Sequence, residues 1–429
     1  MKNSSEASAG LKQLFKIKKG YNMAYNAGNK FLKVYVDRDK CLGCGFCSEF
    51  NVCVNDSCVG CLSCYYACPH QARVVVEEIA TKRIVRVIVD GEIYNVPDRI
   101  TIKRALELCG YSFSVFHSEG GLQAPCNLGG CYACAVHVDG KLTRSCITAV
   151  KDGMKIETEV SSAAPLRIVH GPSGHTVGGK ATPWTEGKGL RYIEVAVWVA
   201  GCNLRCPQCQ NYHVTYDNHS AALTPREAAE LLTAYRRKYG VKGLAISGGE
   251  PTLNKPWLIQ YFRELKRLNM DVKARLHLDS NGTLLTPSYI DELVEAGCNN
   301  IGVEPKGVRL ETFMKITGIG EKEIAKKYLD TSWNASKYLI ENYGEKVYTG
   351  IGVPYNPAFI SYEELVEIGD KIAGLNSSIQ VCVLDYFPAF RRSALQRPSY
   401  SEMIKVKKIL NERGLKHVIV QTEFGHIGP

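Results

Sequence analysis

From residue 192 to the C-terminus, short apolar runs alternate with longer stretches in which apolar residues recur every three or four positions. The runs at 193–200, 243–247, 273–278, 299–304, 347–353, 379–385 and 417–421 read as strands. The stretches at 225–238, 256–268, 287–296, 321–342, 361–373 and 400–413 read as amphipathic helices between them. Strand–helix alternation of this kind predicts an α/β parallel sheet with right-handed crossovers. Upstream the pattern changes. FLKVYVD at 31–37 is strand-like, RIVRVIVDGEIYNVP at 83–97 alternates as a hairpin around Asp90 and Gly91, and TIKRALELCG at 101–110 reads as a short helix. Residues 161–190 are rich in Gly, Pro, Ser and Thr and read as a linker or packed loop. His170 and His175 flank a turn there and are expected as solvent-exposed loop histidines. The first 30 residues show no strong period. The expected divisions are 1–30, 31–80, 81–160, 161–190 and 191–429.

Composition narrows this picture. A chain of 429 residues can build two or three domains, and 45% hydrophobic with 22% charged residues is ordinary for packed cores. Residues 1–28 are polar and lysine-bearing, without the apolar stretch of a signal peptide, and no run approaches the ~20 apolar residues of a membrane span. A soluble, cytoplasmic protein without a membrane partner is expected. The formal charge of +10 invites a nucleic-acid reading, but the basic residues are scattered, with short clusters only at 16–19 and 236–238.

The chain has 18 cysteines, spaced as metal ligands in a reducing compartment rather than as disulfides. Cys109, Cys298 and Cys382 stand apart in apolar surroundings and read as small buried hydrophobes. The other cysteines fall into groups. Cys202, Cys206 and Cys209 form C-x3-C-x2-C directly after an apolar strand. Iron–sulfur cubes are normally held by four thiolates, so three in one loop leave an iron open. A zinc knuckle or unrelated buried cysteines are the competing readings. Cys58, Cys61, Cys64 and Cys68, the last followed by Pro69, form the bacterial ferredoxin run C-x2-C-x2-C-x3-C-P, and Cys41, Cys44, Cys47 and Cys53 form a similar run with a longer last gap. The ferredoxin pattern exchanges fourth ligands, joining Cys41, Cys44 and Cys47 with Cys68, and Cys58, Cys61 and Cys64 with Cys53. A single cube with spare cysteines, or zinc, remains open. Cys126, Cys131, Cys134 and Cys146 give C-x4-C-x2-C-x11-C, with Gly129 and Gly130 suited to backbone wrapping closely around a cluster. An oxidised four-thiolate cluster carries about −2 and a three-thiolate cube about −1, so a full complement takes the +10 of the chain to roughly +3.

GCNLRCPQCQN at 201–211, followed by ISGGEPTLN at 246–254, resembles the radical S-adenosylmethionine (SAM) superfamily. The longer run 182–211 is similar to the subgroup of pyruvate formate-lyase activating enzyme and the AmmeMemoRadiSam proteins. The Cys126–Cys146 group resembles the β-grasp [2Fe–2S] domains of succinate dehydrogenase iron–sulfur subunits and of small subunits of aerobic carbon monoxide dehydrogenases. The resemblance implies a partial (β/α)6 barrel, preceded by a small two-cluster ferredoxin-like segment and a β-grasp [2Fe–2S] domain. It also implies that SAM chelates the open iron of the Cys202/Cys206/Cys209 cube. Gly248 and Gly249 would let backbone approach its methionine part, Glu250 would bond its ammonium, and Asn211 would contact the nucleoside. Asp279, Ser280 and Glu304 would hold a monovalent cation against its carboxylate, which Lys306 would pair; charged caps at strand ends are the bland alternative for Asp279 and Glu304. Two positions depart from the pattern: Gln208 stands where an aromatic residue usually covers the adenine, and Phe387 where a histidine is usual.

The implied cofactors are SAM, three [4Fe–4S] clusters (one SAM-binding), one [2Fe–2S] cluster and the monovalent cation. The implied function is reductive cleavage of SAM for hydrogen abstraction. An activase placing a glycyl radical on a partner enzyme, an enzyme modifying a small molecule or peptide, and an electron-transfer module are the readings to separate. No flavin or dinucleotide fingerprint is present, so an external donor protein is the expected electron source.

Overall fold

The computed structural model describes residues 30–50, 58–80, 82–176, 178–187 and 192–429. Cys53 and nearly all of the N-terminal extension lie outside the described residues. In the first unit, β1 (Lys30–Val36) and β2 (Arg73–Ile79) pair antiparallel from Lys30↔Ile79 to Val36↔Arg73. Between them lie α1 (Phe46–Glu49) and α2 (Ser63–Ala67), each entered through a left-handed residue, Gly45 at φ 75° and Leu62 at φ 61°. Cys47 and Cys64 therefore take equivalent places in the first turn of two short helices, as the repeated cysteine spacing requires.

The second unit opens with the hairpin of β3 (Ile84–Val89) and β4 (Glu92–Pro97). Asp90 and Gly91 both have positive φ, at 49° and 87°, the turn geometry that matches the twist of paired strands. In α3 (Ile102–Leu108), Thr101 caps the start by accepting from Arg104 N at 3.1 Å. A small parallel pair, β5 (Phe113–Ser114) and β6 (Leu122–Gln123), precedes β7 (Ala135–Val138), β8 (Lys141–Arg144) and β9 (Lys155–Glu157). The mixed sheet runs β4-β3-β9-β7-β8. Val85, Val87 and Val89 point to one side of β3 and pack with Ile102, Ala105 and Leu106 of the helix.

The third unit is one twisted sheet wrapped by helices. In chain order it comprises β10 (Arg167–His175), β11 (Glu194–Val199), α4 (Tyr212–Thr215), β12 (Ala222–Leu223), α5 (Pro225–Tyr239), β13 (Gly243–Gly248), α6 (Lys255–Leu268), β14 (Arg275–Ser280), α7 (Pro287–Glu295) and β15 (Asn300–Val303). It continues through α8 (Leu310–Thr317), α9 (Lys322–Tyr343), β16 (Tyr348–Tyr355), α10 (Tyr362–Asn376), β17 (Gln380–Asp385), α11 (Tyr400–Glu412), β18 (His417–Thr422) and β19 (Gly425–Ile427). The strand order is β12-β10-β11-β13-β14-β15-β16-β17-β18-β19, parallel from β11 to β18 and antiparallel at the flanks.

This is the parallel α/β sheet the alternation predicts, in the barrel form the resemblance implies, with five additions. Residues 161–190 are not merely a linker, because β10 joins the barrel sheet beside β11. The short α4, β12, α8 and β19 also lie outside the elements that the hydrophobic pattern predicts. On each parallel strand one face is apolar and packs on helices, as Val195, Val197 and Val199 do. The alternate positions point inward. They carry Glu194 and Trp198 on β11, Ser247 on β13, His277 and Asp279 on β14, Gly302 on β15, Gly350 and Gly352 on β16, and Gln380 and Cys382 on β17. The barrel interior is thus polar and notched with glycine.

Candidate active site

The cysteine loop leaves the C-terminal end of β11, and the GGEP turn leaves β13 beside it. A side chain on Gly248, whose φ is 122°, or on Gly249 would run into the backbone of Val199 and Gly201 respectively. That closeness is hydrogen-bonded: Gly249 N donates to Val199 O and Glu250 N to Gly201 O, both at 2.8 Å. These glycines therefore seat GGEP against the root of the cysteine loop. Fully buried Arg167 locks the turn from behind, donating to Pro251 O, to Glu250 O at 2.6 Å and to Ala200 O at 3.2 Å. The Glu250 carboxylate accepts from Thr252 N and Oγ1, Ser280 Oγ and Asn281 N at 2.7–3.0 Å.

Cys202, Cys206 and Cys209, with Asn211, Gly248, Gly249, Glu250, Asp279, Ser280, Glu304 and Lys306, all line one cavity of about 180 Å³. Burial pushes the Cys206 thiol up to about 12 and raises Cys202 and Cys209 as well. Three such thiols become thiolates together only when a metal replaces their protons. Among the described residues no group of three or more His, Cys, Asp or Glu side chains encloses a point for a single ion; the thiolates of a cube each meet a separate iron. Gln208 does not reach over the cavity like a covering ring; its amide donates to Ile316 O at 2.8 Å.

A buried chain of alternating charge leads away from the cysteines. Lys306 Nζ pairs with Glu304 and donates to Tyr386 Oη at 2.9 Å. Lys180 Nζ lies 3.4 Å from Glu304 and 3.6 Å from Asp279. His277 stands 3.2 Å from Asp279 on one side and 3.2 Å from Glu194 on the other. Burial alone would lower the His277 ring, but the flanking carboxylates outweigh it and lift it to about 9, so the ring is charged at neutral pH. Thr182 Oγ1 and Gly179 N donate to Glu194 at 2.7 and 2.8 Å. The Asp279/Glu304 pair expected to hold a monovalent cation holds the Lys180 ammonium instead. Sequence reasoning missed Lys180, His277 and Glu194. The signal for His277 was the polar residue at every second position of RLHLDS, which only matters once the strand is known to bound a barrel; Lys180, outside any strand, and Glu194, the single polar residue of EVAVWV, carried no such pattern.

A second cavity of about 880 Å³ opens off the first and shares Lys180, Gln210, Asn211, Ser247, Asp279 and Leu384 with it. His175, Trp184, Trp198 and Phe387 supply its rings, and Gln380, Gln421 and His426 its polar groups. The two histidines expected on an exposed loop are on β10: His175 faces this cavity, and His170 pairs with buried Asp217 at 2.9 Å. Cys382 lines the cavity rather than filling a core; burial raises its thiol to about 12, as it does for Cys109.

The iron–sulfur units meet the same loop. Cys126, Cys131, Cys134 and Cys146 are all buried, with the first two Sγ atoms 3.1 Å apart. Each end of the set thus offers two thiolates, as a two-iron centre needs. Gly130 also clears a docking contact: a side chain there would come within 2.7 Å of Ala200 Cβ and 2.8 Å of Gly201 N. Arg205 joins all three units. It donates to Cys202 O at 2.7 Å and Cys126 O at 2.6 Å, and lies 4.6 Å from the Tyr66 ring centre. Arg391 donates to Tyr65, Tyr66 and Cys68 carbonyls at 2.6–3.0 Å, closing the C-terminus of α2. Cys41 and Cys44 are exposed, whereas Cys64 and Cys68 are buried; Cys47, Cys58 and Cys61 are intermediate.

A barrel with an open-iron cysteine loop, next to a two-iron thiolate set, defines a class, and comparison with known proteins agrees. Residues 197–372 match the family model of the Radical SAM superfamily, and residues 82–161 that of a 2Fe-2S iron-sulfur cluster binding domain. The chain carries both domains, and with them come SAM, a [4Fe–4S] cluster and a [2Fe–2S] cluster. It is 34% identical over 134 residues to a probable GTP 3',8-cyclase of Methanococcus aeolicus, covering 31% of this chain and 43% of that protein. It is also 34% identical over 129 residues to an AdoMet-dependent heme synthase of Methanosarcina barkeri, covering 29% of this chain and 35% of that protein. The chain thus spans less than half the length of these relatives. SuiB of Streptococcus suis aligns with a TM-score of 0.40 at 17% identity over 52% of this chain and 47% of its own. The relatives are named as cyclases and a heme synthase, so the activating-enzyme subgroup suggested by the 182–211 run is not the one they belong to. No helix among the described residues is long and apolar enough to cross a membrane.

Proposed function

We propose that this chain is a radical SAM enzyme acting on a small molecule, with its N-terminal iron–sulfur units relaying electrons from an external donor protein. The observation that carries the reading is the 880 Å³ cavity, which lies inside the barrel and joins the cysteine-lined site. Its size is that of a pocket for a small ligand rather than a groove for a folded partner. The cyclase and synthase names of the relatives support the same choice over an activase. Among the lining residues Lys180 is the basic aliphatic side chain, and two carboxylates already hold it. The pocket therefore suits a ring-bearing, weakly charged substrate, stacked among Trp184, Trp198 and Phe387, better than a nucleoside triphosphate.

Cys202, Cys206 and Cys209 would hold the cube. Asn211, Gly248–Glu250, Asp279, Ser280, Glu304 and Lys306 would surround SAM. Bound together, cube and SAM supply a 5′-deoxyadenosyl radical for hydrogen abstraction. The chain contributes orientation, through the hydrogen-bonded GGEP turn, and exclusion of water from a buried site. In anaerobic assays with dithionite, SAM and candidate substrates, 5′-deoxyadenosine should form and carry deuterium from the labelled substrate. A yield no greater than that of Cys206→Ala would sink the proposal, and a glycyl-radical signal on a partner protein would restore the activase.

A further inference from the structure

The cation that the resemblance places between Asp279 and Glu304 does not fit the side chains found there. We infer that Lys180 takes its place, so that the SAM site carries its positive charge within the chain and needs no metal ion from solution. The inference rests on the SAM reading above and concerns how that site is completed.

The position of Lys180 is built, not incidental. Its segment enters the barrel between β10 and β11, where Gln380 Nε2 donates to Lys180 O and Thr182 O at 2.8 Å and Asn300 Nδ2 donates to Ala181 O at 2.7 Å. The strands are cleared for it. A side chain on Gly350 would run into Lys180 O, one on Gly302 would come within 2.8 Å of Lys180 Cβ, and one on Gly352 within 2.7 Å of Lys180 Cδ. Lys180 N also donates to Asp279 at 3.2 Å, so backbone and side chain of one residue serve the same carboxylate.

The charges close. Lys180, Lys306 and charged His277 face Asp279, Glu304 and Glu194: Asp279 lies between Lys180 and His277, Glu304 between Lys180 and Lys306, and Glu194 against His277 at the end of the charge chain. An added alkali ion would be an unpaired charge among buried groups, which is costly. Burial alone would lower the Lys180 ammonium, but Asp279 and Glu304 more than offset it, keeping it protonated. Lys180 is a positioning residue: it fixes the two carboxylates and presents positive potential where the SAM carboxylate would sit.

The test measures SAM affinity by equilibrium binding, and the spectral change of the cube on SAM addition, in buffers of choline, sodium or potassium chloride at equal ionic strength. The reconstituted protein should bind SAM equally in all three. Lys180→Ala opens the space of the ammonium and should bind roughly tenfold more weakly in choline, the scale of one lost charge-assisted bond. It should regain affinity with sodium, potassium or methylammonium. Lys180→Met keeps the space filled and should be weak in every buffer. Native affinity that changes with the alkali ion would overturn the inference, as would Lys180→Ala binding normally in choline, or losing affinity that no cation restores. Failure of the native protein to bind SAM at all would instead overturn the enzyme reading.

Discussion

His277 shows how a single residue can tie the stability of the barrel to pH. Its ring is fully enclosed and its charge is held by Asp279 and Glu194. The folded value, about 9, lies above the usual 6.5. A raised histidine contributes stability that is fully present below about pH 6.5 and is lost as pH climbs through about 9. Thermal unfolding of the cluster-loaded protein should therefore fall between neutral pH and about pH 9. His277→Gln should be less stable at neutral pH, since it leaves two buried carboxylates short of a cation, and should show a flatter slope. An unchanged slope in the variant would assign the pH dependence to other groups. Residues of this kind were illegible in the sequence. Asp279 and Glu304 came from a family motif, whereas no motif position marked His277, Glu194 or Lys180, and only the closed sheet brings them together.

Secondary-structure elements were more legible than side-chain partners. The seven parallel strands and the six long helices of the barrel were read from hydrophobic period, because each buries one continuous face. The failures have physical causes. β10 (RIVHGPSGH) contains Gly and Pro and bulges between His170 and Ser173 while pairing with β11, so it lacks the alternation that marks a strand. The glycines of GGEP and of the Cys126–Cys146 loop were recognised for their closeness to cofactors; the structure adds that Gly130, Gly248 and Gly249 also clear close approaches between elements. Gly130 tests this. Its would-be Cβ approaches Ala200 Cβ, Asp217 O and Gly201 N within 2.7–2.8 Å, on the strand end and loops that position Cys202. Gly130→Ala should weaken docking of the [2Fe–2S] domain by about 1–3 kcal/mol, the usual cost of overpacking. Limited proteolysis between β9 and β10 should accelerate, while the visible spectrum of the two-iron centre persists. Loss of that spectrum at normal proteolytic resistance would mean that the glycine serves the cluster instead.

At the scale of the molecule, the thiolate sets lie in an order that suggests a path. Cys41 and Cys44 are at the surface, Cys64 and Cys68 are buried under Arg391, and Arg205 links the backbone of Cys126 to that of Cys202 beside Tyr66. Electrons entering at the exposed rim would pass the fully buried Cys126–Cys146 set before reaching the half-buried cysteines of the barrel. Such an order needs two cubes in the first unit. The equivalent places of Cys47 and Cys64 in α1 and α2 favour that count, as does the closure of β1 on β2 around both loops. The anaerobically reconstituted protein should then hold about fourteen irons per chain. Cys53→Ala should reduce the iron by about one cube while leaving the [2Fe–2S] spectrum and SAM binding intact. Native protein reproducibly near ten irons would show that one ferredoxin run holds no cube of its own, and Cys53 would be a spare thiol. Substantial zinc in the same preparation would remove the N-terminal unit from the path altogether, leaving the buried Cys126–Cys146 centre as the point where a donor protein must reach the barrel.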